Sequence, residues 1–199
     1  MKILLSPAKM MSLETNAKWK ATTPQFLNYS QEVMGVMKEM KANDLEKLMK
    51  ISRDIADMNV ERNNAWNIKP SAKQAIPAAL AFKGEVYRAL NAETLDENAI
   101  DYLNKNAFLL SGLYGILRPS DKIMPYRLEM GSKLDVNGSK NLYGFWKEIL
   151  TPFVNSKLKK DEFSLNLASN EYAKVLHRKE LKVTMIDVEF QDYKNGELK

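Results

Sequence analysis

Hydrophobic residues in this chain follow two different periods, and the order of those periods restricts the fold more than any other feature. Short apolar runs stand near both ends, and segments of helical spacing lie between them. Lys2 to Leu5 is such a run, closed by Ser6-Pro7, and reads as a buried strand that ends in a loop. Phe163 to Ala168 alternates as Phe-Ser-Leu-Asn-Leu-Ala, the period of a strand, and Val183 to Phe190 reads as another. Between them, Gln25 to Lys41 spaces Phe26, Tyr29, Val33, Val36, Met37 and Met40 as one helical face. Leu45, Leu48, Met49, Ile51, Ile55 and Met58 predict a second amphipathic helix with Asn43 as its cap. Ser71 reads as a further cap, ahead of the apolar stretch Ala75 to Leu90. Asp96 opens a helix that reaches Lys105, Phe108 to Leu110 reads as a short central strand, and Asn141 to Lys157 returns to helical spacing. Strands near both ends with helices between them predict a single mixed α/β domain. Tyr193-Lys194-Asn195-Gly196-Glu197 carries the strongest hairpin signal, and the sequence stops at Lys199 directly after it.

Composition then narrows the chemistry. The chain has no cysteine, which excludes disulfides, cysteine nucleophiles, thiolate zinc sites and cysteine-bound iron–sulfur clusters. His177 is the single histidine, so a multi-histidine metal site cannot be built, and no spaced Asp/Glu loop argues for calcium or magnesium. No metal or cofactor is therefore expected. The apolar run at the N-terminus is too short for a signal segment or a membrane span, and the reading is a cytoplasmic protein. The net charge is +5, which favours anionic partners and nucleic acid first. The basic run 157–160 and the stretch 174–182, which contains His177, read as solvated surface.

Four segments carry candidate chemistry. Ser6-Pro7-Ala8-Lys9 ends the first strand, where α/β proteins gather their sites. Its Ser-x-x-Lys spacing matches a lysine-activated serine if Ser6 opens a helix; otherwise Lys9 is an anion-binding residue or a solvated turn lysine. In Ala81 to Tyr87, Lys83 follows a buried run and Gly84 permits close backbone approach. On a helix, Lys83 and Tyr87 would share a face; alternatively Lys83 snorkels and Tyr87 fills the core.

The third segment is the richest. Leu110 to Pro119 and Pro125 to Gly131 hold Gly112, Tyr114, Gly115, Arg118, Tyr126, Arg127 and Glu129 in a stretch without clear period. Gly112 and Gly115 would let a turn expose N–H groups to phosphate. Arg118 and Arg127 supply permanently charged forks, Tyr114 and Tyr126 offer faces for stacking, and Glu129 would orient an arginine or move a proton. The alternative is a structural loop in which Arg127 pairs with Glu129 and the tyrosines fill the core. The fourth segment, Asn166 to Tyr172, passes from a strand into a helix, with Ser169 or Asn170 as its cap.

Ser6 to Lys9, Ala81 through Tyr87, Leu110 through Pro119, Pro125 through Gly131, Leu142-Tyr143 with Phe145-Trp146, and Asn166 through Ser169 with Glu171-Tyr172 stand in an order that resembles the YaaA family of peroxide stress proteins. The resemblance spans essentially the whole chain. It implies an unusual mixed α/β fold with a basic cleft, in a cytoplasmic protein that protects against hydrogen peroxide and limits free iron and oxidative DNA damage. It also implies duplex DNA binding through a helix-hairpin-helix-like element, placed here at Gly112 to Arg118. It brings no established enzymatic reaction. It further implies a single domain over residues 1–199 and a continuation rich in lysine, arginine and aromatics that those residues do not include. The leading expectation is that Lys9, Lys83, Arg118 and Arg127 contact DNA phosphates, with Tyr114 and Tyr126 at the cleft wall. The rival is an enzyme on a nucleotide or nucleobase, with Ser6, Lys9, Glu129 and Ser169 in catalytic roles. Direct iron binding would have only carboxylates and tyrosines to work with.

Overall fold

A computed structural model of the protein describes residues 1–159, 161–189, 193–194 and 197–198. The first apolar run is strand β1 (Lys2–Leu5), and a loop carries the chain into the two-residue β2 (Met10–Met11). Helix α1 (Leu27–Glu39) buries Val33, Met34 and Met37 along one side, as its spacing predicts.

The next helix departs from expectation. Leu45 to Met58 is not one helix but two, α2 (Ala42–Met49) and α3 (Arg53–Ala65). Lys50 takes a left-handed conformation (φ 52°) and ends α2, and Ser52 precedes α3. The cap of α2 is Lys41 rather than Asn43, because the Asp44 carboxylate reaches back to accept the Lys41 N–H at 3.0 Å. Ser71 opens no helix. Its N–H and hydroxyl both donate to Gln74 Oε1, forming a turn. The apolar stretch beyond it is divided among β3 (Ile76–Pro77), α4 (Ala78–Ala81), β4 (Phe82–Lys83) and α5 (Glu85–Leu90).

The second half follows its caps closely. Asp96 accepts the Ala99 N–H at 2.8 Å and starts α6 (Glu97–Asn106). Strand β5 (Ala107–Ser111) is buried at every residue. Two short strands follow, β6 (Gly115–Leu117) and β7 (Lys122–Ile123). Asn141 accepts the Gly144 N–H at 2.9 Å and starts α7 (Leu142–Lys157). Then come β8 (Ser164–Asn166), α8 (Asn170–Ala173) and β9 (Met185–Asp187), and β10 (Tyr193–Lys194) pairs antiparallel with β11 (Glu197–Leu198). Lys160, Phe190, Asn195 and Gly196, which belong to segments read above, lie outside the described residues. Among the described residues no helix is long and apolar enough to cross a membrane.

The main sheet runs β6-β5-β1-β8-β9. β1 is parallel to both β5 and β8, β8 is parallel to β9, and β6 alone runs antiparallel, against β5. The fold is thus a single-domain α/β arrangement with a mixed sheet. This topology has a direct consequence for function. The segments that leave β1, β5 and β8 all emerge at one edge of the sheet, whereas β6 carries the chain back to the other edge. Residues 112–114 make the turn of that β5–β6 hairpin and have no flanking helix, so the expected helix-hairpin-helix is not formed there.

At the outer strand, Asp187 accepts bonds from the Arg178 guanidinium and from Asn166 Nδ2, which hold its carboxyl down to about 2. A depressed folded value contributes stability that is present above the ordinary carboxylate range and lost as pH falls through about 2. The side chain is half exposed, so solvent screening keeps that contribution small. In NMR titrations Asp187 should titrate with a midpoint near 2, and Arg178→Ala should move it toward the ordinary ~3.9.

Candidate functional site

The loop after β1 brings Ser6 and Lys9 to the parallel-strand edge, the position where open α/β sheets form ligand crevices. Ser6 lies in an extended loop rather than a helix, so the Ser-x-x-Lys geometry of a lysine-activated serine is not assembled. The Ser6 hydroxyl instead accepts the Ser169 N–H at 2.9 Å and donates to Ser169 Oγ at 3.3 Å. This pair ties the end of β1 to the start of α8. The Tyr87 hydroxyl donates to the Ser6 carbonyl at 2.8 Å, and burial pushes that phenol well up.

Lys83 ends β4, and α5 begins only at Glu85. Lys83 and Tyr87 therefore do not share a helical face, because Gly84 stands between strand and helix. A Cβ on Gly84 would sit 3.3 Å from that of Ala8, so the glycine lets the β1 loop lie close. Between them these segments border an open cleft of about 610 Å³ lined by Ser6, Lys9, Lys83, Val86 and Tyr87.

A neighbouring cleft of about 420 Å³ shares Lys9, Met10 and Lys83 and adds Arg62, Arg127 and Met58. Lys9 Nζ and Arg127 Nη2 converge on one atom, Glu129 Oε1, at 3.0 and 3.3 Å. The expected Arg127–Glu129 pairing is thus present, and Glu129 holds two of the cations that line the cleft. Arg127 Nε is buried, and no acceptor among the described residues reaches it. Burial and the nearby Arg127 charge lower the Arg62 pKa, so these two guanidiniums crowd each other. Arg62 was not among the residues singled out in the sequence. The available signal was its place on α3 at helical spacing from Ile55, Met58 and Asn59, all of which line the same cleft. Glu171, in the first turn of α8, accepts the Gly131 N–H at 3.0 Å and anchors the end of the Arg127 loop.

Five expected site residues are placed elsewhere or used otherwise. Arg118 follows β6, the antiparallel strand, and so sits at the opposite edge of the sheet, beside Lys2 and Lys105. Its guanidinium is committed to the buried Asp121 (2.7 and 3.1 Å) and the Thr23 carbonyl. Tyr114 and Tyr126 are buried and present no open face for stacking. The Tyr114 hydroxyl accepts bonds from Trp66 Nε1 and the Met124 N–H, and burial raises its pKa to about 12. The Tyr126 hydroxyl pairs with Ser111 Oγ at 2.7 Å. Gly112 and Gly115 are also buried, with their turn packed under residue Leu128 and against Trp146, so they offer no N–H cradle at the surface. Lys9, Lys83, Arg127, Glu129, Ser6 and Ser169 are the expected residues that the fold brings to one edge.

The profile of the family described as peroxide stress protein YaaA matches residues 1–199. A UPF0246 protein of Flavobacterium johnsoniae is 44% identical over 200 residues, covering 100% of this chain and 79% of the relative. A UPF0246 protein of Flavobacterium psychrophilum is 43% identical with the same coverage. One from Aliivibrio fischeri is 43% identical over 202 residues, covering 100% of this chain and 78% of its own. With a profile and relatives that span it from end to end, this chain belongs to the peroxide stress protein YaaA family.

Proposed function

We propose that this protein serves the peroxide stress response in the cytoplasm by holding duplex DNA at the cationic cleft, and so limits iron-dependent oxidative damage to it. One observation carries the reading. Lys9, Arg62, Lys83 and Arg127 come from four separate segments and line one cleft, and only Lys9 and Arg127 among them share a carboxylate, that of Glu129. Gathering like charges costs energy unless an anion repays it, and the phosphate backbone is the commonest multivalent anion a cytoplasmic protein meets. Arginine forks and lysine ammoniums in that arrangement suit phosphate oxygens without reading base sequence.

Fluorescence-anisotropy titration of labelled duplex DNA across a salt series tests this. Arg127→Ala and Lys83→Ala should each weaken binding about tenfold at every DNA sequence and lower the salt slope by about 1. Arg118→Ala should leave both unchanged, since Arg118 stands at the opposite edge. Unaltered affinity and slope in both cleft variants would overturn the assignment.

A second reading keeps the same site for a single nucleotide or nucleobase as substrate. It is favoured by the cleft of about 610 Å³, a volume suited to a small molecule, and by the Ser6–Ser169 hydroxyl pair beside it. A mononucleotide that saturates the cleft and displaces DNA would support it; duplex binding that no mononucleotide displaces would count against it.

A further inference from the structure

The chain carries 11 methionines and no cysteine, so its sulfur chemistry rests on thioethers alone. Five of the thioethers are buried. Met34, Met37, Met49, Met124 and Met130 are all 6% exposed or less. Met1, Met11, Met40 and Met185 are partly buried, and Met10 and Met58 are exposed, at 69% and 40%. These two come from different elements, β2 and α3, yet both line the same cleft of about 420 Å³, together with Lys9, Arg62, Lys83 and Arg127. Met10 is also the strand partner of Lys83. Exposing large apolar side chains to water forgoes the stabilisation of burying them, and here both sit among the cations of the cleft.

From this coincidence we infer that Met10 and Met58 are a peroxide-modification site, and that their oxidation loosens the cleft's hold on anions. The inference rests on the cationic-cleft reading above and adds a means of control to it. The chemistry is a two-electron oxygen transfer. A sulfur lone pair attacks one oxygen of hydrogen peroxide, the S–O bond forms and the O–O bond breaks. The thioether is oxidised to sulfoxide, and the other peroxide oxygen leaves as water after taking the remaining proton. Hydrogen peroxide is the only co-reactant, and methionine sulfoxide reductases reverse the change. The product replaces an apolar, weakly accepting sulfur with a polar S=O acceptor. Placed beside Lys83 and Arg62, that oxygen competes for the same N–H donors a ligand phosphate would use.

The full chain would be exposed to graded hydrogen peroxide, digested, and scored by mass spectrometry for oxygen gained at each methionine. Met10 and Met58 should oxidise first, at least about tenfold faster than Met34, Met37 and Met130, because susceptibility follows exposure. Labelled duplex DNA and inorganic tripolyphosphate would then be titrated against reduced protein, oxidised protein and oxidised protein treated with sulfoxide reductases. Oxidation should weaken binding of both probes at least threefold, and the reductases should restore it. A Met10→Leu/Met58→Leu chain should bind both probes equally before and after peroxide, whatever its own starting affinity. The inference is overturned if Met10 and Met58 gain oxygen no sooner than the buried methionines, or if selectively oxidised protein binds as well as reduced. Should the reduced protein bind neither probe, the cationic-cleft reading fails and takes this control with it; binding that peroxide leaves untouched sinks the control alone.

Discussion

Gly115→Ala should cost about 2–5 kcal/mol of folding stability, a large share of what a domain of this size has to lose. Two effects combine. Gly115 has φ +69°, a region that L side chains rarely adopt. An added Cβ would also stand 2.7 Å from Trp146 Cζ3 and 3.0 Å from Leu150 Cδ2. The indole cannot easily retreat. It is fully buried, its Nε1 donates to the Gly112 carbonyl at 2.9 Å, and Phe26, Tyr29 and Phe145 surround it with edge-on contacts. Urea unfolding should show the midpoint falling while the slope stays constant. Adding Trp146→Phe should recover the steric part, relative to Trp146→Phe alone, and leave the backbone part. A Gly115→Ala chain that unfolds at the parental midpoint would mean that this turn is not packed against α7 as described.

The second large effect is expected at Arg118, for a reason unconnected with ligands. Asp121 is buried, and its carboxylate accepts from Thr22 Oγ1, from the Arg118 N–H and from the Arg118 guanidinium. Arg118→Ala removes the guanidinium and leaves a buried carboxylate with its charge unpaired. Loss of one partner of a buried pair is strongly destabilising; because the arginine is partly exposed and two other donors remain, about 2–4 kcal/mol is expected. Arg118→Ala/Asp121→Asn should regain much of this, since the charge is removed together with its partner. Equal unfolding midpoints for Arg118→Ala and the parent would show that the pair contributes nothing. The DNA titrations above should use conditions in which this variant is fully folded.

Much of the chain could be read from its residues because the relevant signals were local. Asp96 opens a helix where expected, the helical spacing from Asn141 to Lys157 is a helix that Asn141 caps, and the apolar run through Phe108 to Leu110 is a strand buried on both faces. The failures share a different cause. The period running from Leu45 through Met58 survives the break at Lys50, because two packed helices can present one apolar stripe, and a lysine gives no warning of a left-handed turn. Arg118 and Arg127 are chemically alike and close in sequence. Only the direction of β6, a property of the assembled sheet, sends one to the buried Asp121 and the other to the cleft. Gly112 and Gly115 satisfy the spacing of an anion-binding turn, but the same spacing serves a hairpin wedged beneath an indole. Tyr114 and Tyr126 sit among turn residues and look accessible, yet their rings are inside and their hydroxyls are satisfied there. In the candidate site, Lys9, Lys83, Arg127 and Glu129 were legible as charges placed where chain segments end. Arg62 was hidden in an amphipathic helix whose polar positions do not distinguish cleft from solvent.

The central place of β1 also governs how the protein can be made. Its partners are residues 107–109 and 164–166, so the innermost strand of the sheet is translated before either of its neighbours. At roughly 5–20 residues per second, the gap before β5 appears is on the order of 5–20 s, and β8 comes several seconds later. During that interval Lys2 to Leu5 has two unpaired strand edges, and the early chain has only helices and the two-residue β2–β4 ladder to fold. The main sheet is consequently assembled late, from contacts of very long sequence separation, and its formation sets a slow step that the helical segments cannot shorten.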